Sequence, residues 1–488
     1  MNAADKYETV IGLEVHVELN TKTKIFCGCK NEFGAEPNSY ICPACLGLPG
    51  SLPVFNEGVL YRAIKAGLAL GCTIAVKSKF DRKNYYYPDL PKAYQISQYD
   101  MPIAVNGVLE IVKKDGTRKK IGITRLHMEE DAGKLLHLTK SGQIGEAEES
   151  LVDYNRGGVP LIEIVSEPEM KNPEEAYLYL TSIKSILEYI DVSDCNMEEG
   201  SLRCDANVSV MEKGAKQFGT KVEIKNMNSF KNVQKAIEYE VERQIKAVEE
   251  KEAIIQETRL WNPEKNKTFS MRSKEGSHDY RYFPEPDIPP MVIAKEYIEK
   301  IKKEIPELPM QKTERFMKEY GIPDYDAGVL TTDQELAAYF EKTAKISGEA
   351  KLCSNWIMGD LLAKMNASGM NKISEVKISP EQLANMIGLI KNSVISGKIA
   401  KTVFEEMFNT GLAPETIVKE KGLVQITDIK AIETAVDAVI AGNAKIVEEI
   451  KGGKVAGMGF LVGQIMKETK GKANPQMVND LLKKRFLG

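Results

Sequence analysis

The sequence predicts an α+β protein: a mixed α/β body first, then a helical region and an all-helical tail. Three observations carry this. Short segments of alternating apolar and polar residues fill roughly the first 290 of the 488 positions. Four prolines at 284, 286, 289 and 290 can continue neither a helix nor a central strand. The last ~150 residues are rich in Ala, Lys, Glu, Met and Leu and poor in strand signals. The expected division is 1–290, a connecting region 291–340 and a tail domain 341–488, in line with two to four domains for this length. Hydrophobic residues make up 43% and charged residues 28%, an ordinary globular composition. The net charge of −4 means that any contact with nucleic acid must come from local basic patches.

Taken in chain order, the first element is a strand. Leu13, Val15, Val17 and Leu19 alternate with Glu14, His16 and Glu18. Period two therefore sends two acids and a histidine to one face. Next come Cys27, Cys29, Cys42 and Cys45, then the loop-rich run Asp81 to Gln95, where Arg82, Lys83 and Lys92 interleave with Tyr85, Tyr86, Tyr87 and Tyr94. Ile121 to Thr124 reads as a strand leading into Arg125-Leu-His-Met-Glu-Glu-Asp131, and Glu163 sits alone inside the apolar strand 161–165. Asn172-Pro173-Glu174-Glu175 is a helix start, with Leu180, Ile183 and Leu187 as its buried stripe. Leu202 to Val210 and Lys221 to Lys225 alternate again, placing Arg203, Asp205 and Asn207, and then Glu223 and Lys225, on polar faces. A second core helix runs from about Val233 through Ile237, Val241 and Ile245. Gly276 to Tyr282 repeats the mixture of charge and tyrosine. The tail from Lys445 onward holds nine Lys/Arg against four acids and ends in Lys483-Lys484-Arg485.

Strand faces that mix carboxylates with Lys, Arg, Asn and Ser suit a divalent cation and a nucleotide, because a hard cation takes oxygen ligands and phosphates take cations. A solvated sheet exterior has the same alternation. His16 is unusual for Mg²⁺: it fits Mn²⁺ or Zn²⁺ as a ligand, or a hydrogen bond to phosphate. The tyrosine-rich run suits a polyanion with a flat ring, or packs on the body with its charges solvated. Four cysteines in C-x-C and C-x-x-C spacing fit a tetrahedral structural Zn²⁺ with no open position; free thiols are the alternative. The basic tail fits an RNA backbone or a solvated helix face.

The absences exclude several classes. Gly453-Lys454 is followed by Val and Gly471-Lys472 by Ala, so no P-loop is present. There is no dinucleotide fingerprint, no G-x-S-x-G elbow and no serine-rich amidase loop. Met1–Val10 lacks a basic and an apolar signal region, and Val59–Val76 is interrupted by Arg62 and Lys65. A soluble cytoplasmic protein without a membrane segment is expected.

The run Glu8 to Leu19, the segments Asp81–Gln95, Arg125–Gly133, Met197–Asp205 and Asp279–Asp287 together resemble the B subunit of the aspartyl/glutamyl-tRNA amidotransferase, over essentially the whole chain. The resemblance implies a cradle-shaped body on an antiparallel sheet, then helices, then a small tail domain that contacts tRNA. It implies work beside a glutaminase A subunit and a small C subunit. The expected reaction is ATP-dependent amidation of Glu-tRNA(Gln), Asp-tRNA(Asn) or both, through an acyl phosphate. By motif position it places Glu14, His16, Glu129 and Glu130 on Mg²⁺ or phosphate, with Mn²⁺ as an alternative ion, and Lys83 and Arg125 against phosphate charge. Glu199 and Asp205, with Lys83, are nucleotide-binding candidates. Cys27, Cys29, Cys42 and Cys45 resemble the family's structural zinc knuckle at 27–45. Lys467, Lys470, Lys472, Lys483, Lys484 and Arg485 are the expected tRNA contacts. A non-catalytic tRNA-holding scaffold and a free-standing ligase fed by ammonium are the competing classes.

Overall fold

The computed structural model describes residues 6–138, 149–271, 279–370, 372–424, 429–452, 457–469 and 473–486. The chain divides into two compact units, Met1–Leu308 and Pro309–Gly488.

The first unit is built on a sheet of nine strands among the described residues. Its members are β1 (Tyr7–Glu18), β2 (Thr73–Ile74), β6 (Ala104–Val112), β7 (Arg118–Glu130), β10 (Pro160–Ser166), β11 (Leu202–Glu212), β12 (Val222–Met227), β13 (Thr258–Asn262) and β14 (Lys267–Ser270), the intervening numbers being the shorter strands named below. Their order is β14-β13-β12-β11-β1-β10-β7-β6-β2. The N-terminal strand is thus central, pairing antiparallel with β10 and β11. All pairs are antiparallel except β12 with β13, which run parallel. The exception has a physical cause. Helix Phe230–Glu249 joins those two strands, and a helical crossover returns the chain in the same direction.

The alternation read from the sequence is realised in β1. Ile11, Leu13, Val15 and Val17 are at most 1% exposed. They pack into one core with three helices: α1 (Glu57–Ala69), α2 (Pro173–Tyr189) and α3 (Phe230–Glu249). Each fully buried aliphatic side chain there contributes about 1.5–3 kcal/mol of transfer free energy. Helix α2 starts as expected: Pro173 stands at the first turn and the Asn172 side chain accepts from Glu175 N. Helix α3 starts three residues before the apolar stripe shows it, because Ser229 caps it by accepting from Asn232 N.

A smaller sheet of β4 (Asp81–Asn84), β5 (Tyr94–Ser97) and β15 (Phe283–Pro284) is ordered β15-β4-β5. It packs against the end of β7, where Ser97 Oγ donates to Glu129 Oε2 at 3.1 Å and Glu130 Oε1 accepts from Ile96 N at 2.8 Å. Two-stranded pieces join β3 (Lys77–Ser78) to β16 (Met291–Val292), and β8 (Lys134–His137) to β9 (Ser150–Asp153). Through β16, and through helix α4 (Lys295–Glu304), whose Ile301 is buried in the same core, the first unit runs past the proline cluster to Leu308.

In the second unit the described residues hold helices and no strand. One apolar cluster gathers residues from Phe316 to Val418, another from Ile432 to Leu482. The final helix, Pro475–Phe486, opens under an Asn474 cap, whose Oδ1 accepts from Gln476 N at 2.9 Å. No helix among the described residues is long and apolar enough to cross a membrane.

Candidate active site

Strand register builds the site as a grid on the face opposite the helices. Glu14 stands between Asp205 on β11 and Val165 on β10, and Val165 pairs with Arg125 on β7. One step along, His16 stands between Arg203 and Glu163, and Glu163 pairs with His127. The following row brings Glu18, Leu161 and Glu129 side by side. Period two puts the polar side chains of these rows on one face, so residues almost 190 positions apart in sequence become neighbours.

The grid condenses into two clusters. In the first, donor atoms of His16, Glu129 and Glu163 lie within 4.8 Å of one another. His16 Nε2 is 3.4 Å from Glu163 Oε2 and 3.7 Å from Glu129 Oε1. His127 Nε2 closes the group at 3.2 Å from Glu163 Oε2 and 3.6 Å from Glu129 Oε2. The two acids and His127 are buried. Burial alone would neutralise such carboxylates. The adjacent imidazoles outweigh it, holding Glu129 below the usual carboxylate range and Glu163 well below it. Burial pulls His127 down in turn, but the charge of Glu163 and hydrogen bonds to Glu129 and Glu163 raise it to about 9. His16 moves up for the same reasons. The two imidazolium charges balance the two buried anions, and a divalent cation would take that place on displacing the His16 proton. Two carboxylate oxygens and an imidazole nitrogen fit Mn²⁺ readily and Mg²⁺ with water completing its shell. The buried Nδ1 of His127 has no hydrogen-bond partner among the described residues.

In the second cluster, carboxylate oxygens of Glu14, Asp205 and Glu223 lie within the same 4.8 Å. Lys225 pairs with Asp205 and reaches Glu223 Oε1 at 3.1 Å. Asn207 donates to Glu14 Oε1 at 2.9 Å, and Thr258 to Glu223 Oε2 at 2.6 Å. Adjoining clefts of about 470 and 450 Å³ open here, both lined by Glu14, Asn207, Lys221 and Gln256. Their size is that of a small-molecule site. Gly219 permits the close wall: a Cβ there would stand 2.1 Å from the Val210 carbonyl oxygen.

The structure separates two expected residues from these clusters. Glu130 follows Glu129 on β7 and points to the other face, where it pairs with Lys92 and accepts from Ile96 N at 2.8 Å. Glu199 is exposed in the turn before β11, its N–H donating to Asn196 Oδ1. Lys83 and Arg125 stand near Tyr280 and Tyr282 at the rim of the first cluster. Sequence reasoning misses the part played by two further residues. His127 stands between Arg125 and Glu129 in a run whose acids draw the eye. Glu163 stands out only as an acid in an apolar strand, and that is the available signal.

The four cysteine sulfurs also lie within 4.8 Å of one another. Cys45 is held down at about 5, first by its hydrogen bond with Cys27 and also by the Cys42 N–H at 3.0 Å and the charge of Lys24. Lys24 is fully buried, and its Nζ donates to the Tyr154 carbonyl at 3.1 Å. The hydrogen bond with Cys45 holds Cys27 well above the ordinary thiol range and burial raises Cys29 to about 11, so the buried ammonium favours a single thiolate, at Cys45, the form that binds zinc. Lys24, Cys27 and Cys45 share a small cavity with Lys92 and Glu130.

In the tail, Lys467, Lys483 and Lys484 occupy last turns of their helices, while Arg485 pairs with Asp437 at 2.5 Å. Lys470 and Lys472 lie outside the described residues, as do Gly276 to His278 of the second tyrosine-bearing run.

Comparison with known proteins defines the class first. A family model described as the GatB/GatE catalytic domain matches residues 9–299, and one described as the GatB domain matches 338–486. The chain is 61% identical over 481 residues to the B subunit of the aspartyl/glutamyl-tRNA(Asn/Gln) amidotransferase of Carboxydothermus hydrogenoformans, covering 99% of each. It is 59% identical to the corresponding protein of Thermoanaerobacter sp. strain X514, again over 99% of each, and 56% identical to that of Clostridium tetani over 98% of each. The chain therefore belongs to the GatB family of tRNA amidotransferase B subunits.

Proposed function

We propose that this chain is the cytoplasmic synthetase subunit that amidates Glu-tRNA(Gln), Asp-tRNA(Asn) or both, using ATP and ammonia delivered by a glutaminase A subunit, with a small C subunit in the complex. The observation that carries this reading is the grid itself. A buried carboxylate–imidazole cluster stands two residues along β1 from a second acidic cluster and an open cleft.

A side-chain carboxylate resists attack because its charge repels nucleophiles and oxide leaves poorly. A carboxylate oxygen of the substrate attacks the γ-phosphorus of ATP, the bond to ADP breaks, and an acyl phosphate results. Ammonia then attacks the acyl carbon, and inorganic phosphate leaves with one former carboxylate oxygen. A divalent cation, when bound, neutralises charge on the transferring phosphoryl group. His16, Glu129 and Glu163 would hold that ion, and His127 orients the two carboxylates. Glu14, Asp205 and Glu223 line the nucleotide side, with Asn207, Lys225 and Thr258 fixing their geometry. Arg125 and Lys83 face the phosphate charge. Glu130 acts through the fold, tying β7 to Lys92 and β5. Cys27, Cys29, Cys42 and Cys45 would hold a structural zinc, whose role is to support the fold. The basic residues of the tail bind the tRNA backbone.

The test is isotopic. With ¹⁸O in the side-chain carboxylate of the tRNA-bound glutamate, turnover by the assembled complex yields inorganic phosphate carrying one ¹⁸O. Phosphate without label would refute the acyl-phosphate route.

A further inference from the structure

The small sheet gathers tyrosines from two distant segments at the rim of the first cluster. Tyr99 and Tyr282 stack with ring centroids 4.3 Å apart and planes 11° from parallel. Tyr280 stands edge-on to both Tyr282 and Tyr85. The arrangement is fixed by the backbone: Asn84 N donates to the Tyr280 carbonyl at 2.9 Å, and its side chain to the Arg281 carbonyl at 2.8 Å. Tyr99 N donates to Asp81 Oδ2 at 3.1 Å. Tyr99 is nevertheless 54% exposed, an uncommon state for an aromatic ring held this firmly. Lys83 Nζ lies 5.0 Å from the Tyr280 ring centroid and 6.0 Å from that of Tyr85. The buried Nε of Arg125 has no hydrogen-bond partner among the described residues. Tyr282 sits close enough to Glu129 and Glu163 that their charges add to burial in keeping its phenol protonated.

We propose that the Tyr99–Tyr282 pair is a stacking platform for the 3′-terminal base of the aminoacylated RNA, with Lys83 and Arg125 meeting the phosphate charge that arrives with it. The inference rests on the amidation reading above and adds the point at which the substrate's end is held. Because Tyr282 adjoins Glu129 and Glu163, a base stacked on its partner Tyr99 brings the aminoacyl group, ester-linked to the same nucleotide, into the neighbourhood of the carboxylate–imidazole cluster. On the amidation reading the adenine of ATP takes the clefts beside Glu14, whose volumes of about 470 and 450 Å³ suit it, and the platform is left for the RNA. Stacking on an aromatic ring is tolerant of base identity, as a site that serves more than one tRNA requires.

The experiment measures equilibrium binding of the assembled complex to two uncharged tRNAs, one with its complete 3′ end and one lacking the terminal nucleotide. Wild type is expected to prefer the complete tRNA by about ten-fold. Tyr99→Ala is expected to bind both alike, and Tyr99→Trp to restore the preference. The exposed position of Tyr99 lets both variants fold. An undiminished preference in Tyr99→Ala overturns the proposal, as does a wild type indifferent to the terminal nucleotide. A raised KM for ATP with the preference intact also overturns it, by assigning the pair to the nucleotide. If wild type binds neither tRNA, the amidation reading fails and the platform with it.

Discussion

Glu163→Gln is the most informative single change, because one oxygen atom meets both imidazoles of the first cluster. Glu163 Oε2 is 3.4 Å from His16 and 3.2 Å from His127, in a site almost closed to water. The amide keeps the volume and an acceptor but removes one of the two anionic charges. A charge-assisted contact in such a place is worth about 1.5–3 kcal/mol. With a cation bound, the loss is therefore about 2–3 kcal/mol of ion affinity, or roughly 30–150-fold at 1.4 kcal/mol per decade. The assay is ATP-to-ADP turnover by the assembled complex across a titration of Mg²⁺ and of Mn²⁺. The half-saturating ion concentration should rise by that factor, while thermal unfolding moves by only a few degrees. An unchanged ion requirement with full turnover would show that Glu163 is a packing acid and that the cluster holds no catalytic ion.

Three further outcomes are expected. Lys24→Met removes the buried charge beside Cys45, so zinc should be lost to a chelator several-fold faster than from wild type. Equal release rates would dissociate Lys24 from the cysteine site. Gly219→Ala puts a methyl group against the Val210 carbonyl and should push residues 218–221 out of place, raising the KM for ATP while tRNA binding is kept. In the helical unit, burial opposes ionisation of Glu341, but hydrogen bonds from Arg315 and Lys345 and their charges hold its carboxyl down at about 2. Because that value lies below the unfolded one near ~4.3, the stabilisation is complete above about pH 4.5 and fades as pH falls towards 2. Glu341→Gln should cost about 2 kcal/mol at neutral pH after allowance for solvent screening, and progressively less in acid, as followed by urea unfolding.

Much of the fold was legible because it is local. The alternation in β1 and β11 and the Asn172-Pro173 helix start depend on neighbouring residues alone, and the structure places them as read. Strand order was not legible. Nothing near Glu14 announces that β1 lies at the centre of the sheet, between β10 and β11. The site was legible by type and illegible by partner. Glu14, His16 and Glu129 lie on the shared face, but their assortment into two clusters follows from register between strands far apart in sequence. Glu129 and Glu130 look equivalent as adjacent acids, yet a strand must send them to opposite faces, so Glu130 faces Lys92. Lys24 gives no sign at all, because a single lysine in a loop reads as solvated until tertiary packing encloses it.

Whether ATP is consumed at the carboxylate–imidazole face is tested most directly by ADP formation. The assembled complex is given Glu-tRNA(Gln), with ammonium in place of glutamine, and wild type is compared with His16→Ala and Glu129→Ala at matched tRNA binding. Turnover that requires the charged tRNA and collapses in both variants is the expected result. Turnover unchanged in both would make this chain a tRNA-holding scaffold with its chemistry elsewhere.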